Sequence, residues 1–98
     1  MRTLTLSEIK ETVIGLLNKY NAEYALLFGS YARGTATENS DIDIVVFGGK
    51  NFKRTDIFAF AEDLRSLTGR KVDAFEISEI NVGTPFHNTV MEEGVKIA

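Results

Sequence analysis

Short apolar runs alternate with longer segments of helical periodicity along this sequence, and that alternation restricts the fold more than any other feature. Over residues 41–47, apolar and acidic side chains alternate for most of the run, which is typical of a strand. Over residues 6–20, apolar positions recur at spacings of four, three, one and three, which predicts a helix with one apolar face. The run 23–28 is almost continuously apolar and indicates a strand buried on both faces.

The predicted elements follow the order α-β-α-β-α-β-α-β, which indicates an α/β fold with about four strands and flanking helices. They are a helix at about 6–20, a strand at 23–28, one or two helical turns at 30–36, a strand at 41–47, a helix at about 54–68, a strand at 71–76, a short helix from Pro85 to Gly94 and an edge strand at 95–98. A chain of 98 residues is long enough for one domain, so 1–98 is interpreted as a single domain.

Local signals define where the helices begin and which side chains they bury. Thr5 and Glu8 have the spacing of a capping box, and Thr55 is expected to cap the second long helix. Phe58 and Phe60 cannot both face the same core, since positions two apart diverge on a helix, so one of them is expected to be exposed. The side chains expected to pack inward from the later helices are Phe58, Ala61, Leu64, Leu67, Val90 and Met91.

The composition excludes several classes of protein. A net charge of −3 and a pI near 5.1 leave no basic footprint for dedicated DNA or RNA binding. The absence of cysteine excludes disulfides and thiolate zinc sites, and a single histidine cannot form a histidine-rich metal cluster. No apolar run approaches the ~20 residues that span a bilayer, and no apolar signal region opens the chain. We therefore expect a cytoplasmic protein.

Asp41 and Asp43 are the first candidates for chemistry. Residues two apart on a strand project from the same face, so both carboxylates point the same way. Two neighbouring anions repel each other unless a cation lies between them. Because Mg²⁺ prefers carboxylates, waters and phosphate oxygens, the pair predicts a magnesium site.

A glycine-serine turn supplies the second part of the predicted site. Gly29 ends a strand, where the backbone can approach a ligand closely, and a helical turn starting at Ser30 would offer amides to a phosphate. Asp73 is the best candidate for a third carboxylate, since it lies in an apolar-flanked strand where an unpaired charge is costly. Glu76 and Glu62 are weaker candidates. This arrangement suits phosphoryl or nucleotidyl transfer.

Together, Gly29-Ser30, Asp41-x-Asp43 after a ten-residue spacing, and Asp73 resemble the minimal nucleotidyltransferase (MNT) group of the DNA polymerase β superfamily. The resemblance covers about residues 10–98 and is carried by Gly-Ser-x-Ala-Arg-Gly followed by Ser-Asp-Ile-Asp. It implies a nucleotidyltransferase fold with a mixed sheet flanked by helices. It also implies that the three aspartates are catalytic ligands of Mg²⁺ and that Gly29 and Ser30 lie at the phosphates of an NTP.

The resemblance further implies a partner and a reaction. MNT proteins commonly occur with a HEPN-type toxin, and the MNT antitoxin is understood to transfer AMP from ATP to a tyrosine of that toxin. We expect this chain to be such a protein adenylyltransferase, with no membrane or direct nucleic-acid partner. Two alternatives stay open: a small-molecule nucleotidyltransferase completed by another subunit, and a non-catalytic antitoxin that acts by occlusion.

Other polar residues have less specific interpretations. Arg33 fits a phosphate contact or a structural arginine paired with an acidic loop residue such as Glu38. The basic cluster of Lys50, Lys53 and Arg54 is best interpreted as a solvated loop. His87 is better interpreted as a surface or partner-contact residue than as a catalytic base.

Overall fold

The computed structural model describes residues 4–97, and its elements follow the predicted order. They are α1 (Leu6–Lys19), β1 (Tyr24–Phe28), α2 (Ser30–Arg33), β2 (Ile42–Phe47), α3 (Asp56–Thr68), β3 (Val72–Glu76), a 3₁₀ turn (Ile77–Glu79), α4 (Pro85–Glu93) and β4 (Val95–Ile97). Residue 98, the predicted end of the edge strand, lies outside the described residues. The capping box at the start of α1 is confirmed, because the Glu8 amide donates to Thr5 Oγ1 and the Thr5 amide donates to Glu8 Oε1.

The four strands form one mixed sheet in the order β3-β2-β1-β4. β1 pairs antiparallel with both of its neighbours, whereas β2 and β3 are parallel and are connected through α3. This confirms the predicted α/β fold with a mixed four-stranded sheet. As the apolar run predicted, β1 is an interior strand with side chains buried on both faces.

The two faces of the sheet carry different layers. One face packs against α1 and α3 in a core that includes Val13, Ile44 and Phe60. The opposite face carries a smaller cluster, to which α4 contributes Val90 and the segment before it contributes Ile80. The odd-numbered residues of β2 and β3, from Asp43 and Asp73 onward, share this second, more thinly covered face.

The structure corrects the buried face of α3. Phe58 and Leu67 were expected to face inward, but 76% and 66% of their surfaces are exposed. The buried residues are Ile57, Phe60 and Leu64, which follow the three- and four-residue spacing of a helix packed against α1. The expectation that one of the two phenylalanines is exposed is therefore confirmed, and the exposed one is Phe58.

Two smaller expectations also need correction. Met91 was expected to pack, but about half of its surface is exposed, because its neighbour Val90 is the α4 residue that reaches the sheet. Thr55 occupies the cap position of α3 without a capping hydrogen bond from its side chain. Asp56 supplies the local bond instead, since its carboxylate accepts from the Lys53 amide at 2.8 Å. Within residues 4–97, no helix is long and apolar enough to cross a membrane.

Candidate active site

The predicted turn lies at the end of β1 and against the acidic side chains. Gly29 has φ +73° and ψ −152°, a conformation that is almost restricted to glycine. A Cβ added to Gly29 would overlap Oδ2 of Asp43 and would lie 3.2 Å from its Cγ. A glycine is therefore required both by the backbone conformation and by the close approach of the carboxylate. Ser30 follows as the first residue of α2.

The structure places two of the predicted aspartates, Asp43 and Asp73, side by side, and the third, Asp41, close enough to affect Asp43 electrostatically. Asp43 and Asp73 are direct partners in the parallel register of β2 and β3, so their side chains project from the same face of the sheet. Asp41 comes immediately before β2, two residues from Asp43. The weaker candidates lie elsewhere: Glu62 pairs with Arg65 on α3, and Glu76 accepts a hydrogen bond from the Ser78 amide at 2.6 Å.

The electrostatics of Asp43 reflect this crowding. Burial is the largest of several causes that together raise the pKa of Asp43 from 3.8 to about 6; the negative charges of Asp73 and Asp41 and a hydrogen bond with Asp73 add to it, while Arg33 opposes the shift. Phe28, itself buried, is opposite Asp43 in the antiparallel register and shares its face of the sheet. Without a cation, a full set of ionised carboxylates is therefore costly at this position.

The chemistry of these donors fits a divalent cation that is shared with a substrate. Within the described part of the chain, no three His, Cys, Asp or Glu side chains are arranged to hold a metal by themselves. Mg²⁺ does not require such a cage, because it usually keeps several waters and binds through one or two carboxylates plus substrate phosphates. Clustered carboxylates beside a close backbone turn provide the protein half of such a site.

Arg33 lies at the rim of the cluster. Its Nη1 is 3.5 Å from Oε2 of Glu93, the last residue of α4, and its charge lowers the pKa of Asp43. The acidic partner identified by the structure is thus on α4, whereas the sequence had suggested a loop residue such as Glu38. Sequence reasoning missed Glu93, although the Glu-Glu-Gly ending of α4 was a visible signal, because its contact spans sixty positions.

Two residues of the predicted basic cluster lie away from the carboxylates. Lys53 and Arg54 line a cavity of about 300 Å³ together with Glu76 and Glu79. That cavity is at the far end of β2 and β3 from the aspartates, which agrees with the interpretation of the basic cluster as a loop surface. His87 lies in the first turn of α4, where its backbone amide donates to Thr84 Oγ1 at 3.2 Å.

Comparison with known proteins agrees with this geometry. Residues 11–98 match the family described as Polymerase beta, Nucleotidyltransferase. A provisionally named protein adenylyltransferase of Methanocaldococcus jannaschii is 40% identical over 95 residues, covering 91% of this chain and 93% of the relative. The protein adenylyltransferase MntA of Thermococcus cleftensis is 32% identical over 101 residues, covering 99% of this chain and all of the relative.

A solved structure also matches closely. A crystal structure described as a toxin-antitoxin with AMP-PNP contains a chain that is 27% identical and superposes with a TM-score of 0.77. The match covers 91% of this chain and 72% of that chain. The similarity therefore extends over most of this chain.

Proposed function

The chain belongs to the Polymerase beta nucleotidyltransferase family, and from that premise we propose that it transfers AMP from ATP to a tyrosine hydroxyl of a HEPN-type toxin and so acts as an antitoxin. The observation that carries the proposal is the meeting of Asp41, Asp43 and Asp73 beside the Gly29 turn. The protein adenylyltransferase names of relatives that match 91% or more of this chain support AMP as the transferred group.

The residues of the chain would divide the work as follows. Asp41, Asp43 and Asp73 hold Mg²⁺, which when bound neutralises charge on the phosphates. Gly29 permits the backbone of the turn to approach the triphosphate, and Ser30 offers its amide and hydroxyl as donors. Holding the α-phosphate in line with the acceptor hydroxyl then supplies most of the rate acceleration, because this reaction depends on positioning and charge stabilisation.

The acceptor is proposed to be a protein because the described residues form one sheet with its helices and include no second unit that could bind an acceptor. The sheet face beside the aspartates is covered by α4 and the segment before it, and no separate substrate layer follows within residues 4–97. A partner protein would bring its own surface and use its binding energy to place a tyrosine hydroxyl at the site. The toxin-antitoxin assembly of the 27% identical structure, which contains AMP-PNP, supports this arrangement.

The proposal is tested by incubating the purified chain with labelled ATP, MgCl₂ and a HEPN-type toxin, and then locating AMP by mass spectrometry. We expect label on a tyrosine of the partner, and we expect Asp43→Asn to abolish transfer. Burial and the neighbouring carboxylates disfavour the charge of Asp43, and the asparagine removes that charge. The free energy of unfolding of the variant should therefore be equal to or higher than that of the wild type.

Asp56→Asn is the matched control, since Asp56 lies at the start of α3 and its amide analogue can still accept the Lys53 hydrogen bond. This variant should transfer AMP normally. Full transfer by Asp43→Asn would refute the proposal. Neutralisation of the toxin by an inactive Asp43→Asn chain would instead favour an antitoxin that acts by occlusion, and labelling of a small acceptor without the toxin would favour a small-molecule transferase.

A further inference from the structure

The ion pair between Arg33 and Glu93 joins the ends of two helices at the rim of the acidic cluster. Arg33 is the last residue of α2, which directly follows the Gly29 turn, and Glu93 is the last residue of α4. The two side chains keep 53% and 39% of their surfaces exposed, so both stay accessible to a ligand.

The backbone fixes the position of Glu93 more firmly than its exposure suggests. The following residue, Gly94, donates its amide to the Val90 carbonyl at 2.8 Å. A Cβ on Gly94 would come within 3.1 Å of the Leu26 Cβ, so the end of α4 is packed closely against β1. The next residues form β4, which pairs with β1 as well. Glu93 is thus attached to the same strand that positions the Gly29 turn.

Arg33 has two sets of anions within reach. On one side is Glu93, and on the other are the clustered aspartates, whose Asp43 it affects electrostatically. A guanidinium without the Glu93 contact would be drawn towards the aspartates and away from a phosphate bound at the Gly29 turn. A guanidinium has five donors in a planar fork, so Arg33 can keep Glu93 and still bind a phosphate.

We propose that Glu93 is a positioning residue that holds the Arg33 guanidinium beside the aspartates, where it contacts the phosphates of the bound nucleotide. This inference rests on the proposed function, because it assumes a triphosphate at the Gly29 turn. Loss of Glu93 would weaken nucleotide binding and would leave the chemical step of bound nucleotide largely unchanged. Loss of a surface ion pair without a role in the site would instead change neither ATP affinity nor the rate of the chemical step.

The test compares Glu93→Gln with Glu92→Gln, an adjacent exposed residue on the same helix. ATP binding in MgCl₂ is measured by isothermal titration calorimetry without acceptor, and KM and kcat are measured with the acceptor. From the usual strength of exposed ion pairs, Glu93→Gln should bind ATP about two- to five-fold more weakly and raise the KM for ATP to the same degree, with kcat nearly constant. Glu92→Gln should match the wild type.

The same change is then made in an Arg33→Met background. If Glu93 acts through Arg33, Glu93→Gln should have no further effect on ATP binding there. Equal ATP binding by the two glutamine variants, or an undiminished effect in the Arg33→Met background, would overturn the inference. Wild-type chain that binds ATP but transfers no AMP would refute the proposed function alone, and wild-type chain that binds no ATP would refute both.

Discussion

Replacing Gly29 with alanine tests how the turn and the catalytic face depend on each other. The φ of +73° with ψ of −152° lies in a region that costs a non-glycine residue about 1–3 kcal/mol. The new Cβ would also overlap Oδ2 of Asp43. To reach an ordinary contact distance of ~3.5–4.0 Å, the carboxylate or the turn must move by more than about 1 Å.

Gly29→Ala should reduce the rate of AMP transfer much more than it reduces the stability of the fold. A loss of about 2 kcal/mol in a domain of this size lowers Tm by ~8–16 °C. A wild type with the usual free energy of unfolding of about 5–15 kcal/mol leaves the variant folded at room temperature. A displacement of about 1 Å at the reacting centre can cost ~100-fold in rate. We therefore expect a large loss of AMP transfer at temperatures where circular dichroism still shows native helix content.

Gly69→Ala is the matched control for this experiment. Gly69 also has a positive φ, of 69°, but a Cβ there would meet no atom within 4 Å. The left-handed conformation should cost about 1–2 kcal/mol, with transfer unaffected. The reasoning would be refuted if folded Gly29→Ala transferred AMP at the wild-type rate, or if Gly69→Ala lost as much activity.

Two further predictions concern the layer of helices on the opposite face. Phe60→Ala should lower the free energy of unfolding by about 3–5 kcal/mol, because Phe60 is fully buried. Phe58→Ala should change it by less than ~0.5 kcal/mol, because Phe58 is mostly exposed. Urea denaturation of both variants measures these changes, and equal losses would contradict the observed buried face of α3. Asp63 accepts hydrogen bonds from Lys19 at 2.7 Å and Tyr20 at 2.6 Å, which hold the pKa of Asp63 below its usual range. A lowered pKa stabilises the fold above the unfolded value of about 3.9 and loses that contribution as pH falls through the folded value, so the stability difference between wild type and Asp63→Asn should shrink between pH 7 and pH 3. An unchanged difference across that range would show that the contact does not link α1 to α3 through charge.

The sequence predicted the parts of the site that depend on local spacing. Strand alternation predicted that Asp41 and Asp43 share a face; Asp43 lies on β2 and Asp41 immediately precedes it, so the shared face stays a prediction. Gly29 follows the last residue of β1, as the end of the apolar run predicted. Asp73 could be proposed only as a candidate, because nothing in the sequence states that its strand is parallel to β2 and in register with Asp43. That pairing is a property of the assembled sheet.

The errors have a common physical origin. The apolar residues of α3 fit two overlapping helical faces, and contact with α1 decided in favour of Phe60 over Phe58. Periodicity reports that a face exists, but it does not say which neighbour will cover it. The pairing of Arg33 with Glu93 was hidden for the same reason, since each residue has other charges closer in sequence.

The parallel register of β2 and β3 also makes the acidic cluster a possible reporter of folding. Asp43 and Asp73 become neighbours only after α3 has crossed over and β3 has paired with β2. Parallel pairings of this non-local kind form slowly. The proposed cation site would therefore form together with that pairing. Refolding in the presence of a metal-sensitive probe would measure when β3 pairs with β2, because metal binding would require Asp43 and Asp73 to be neighbours.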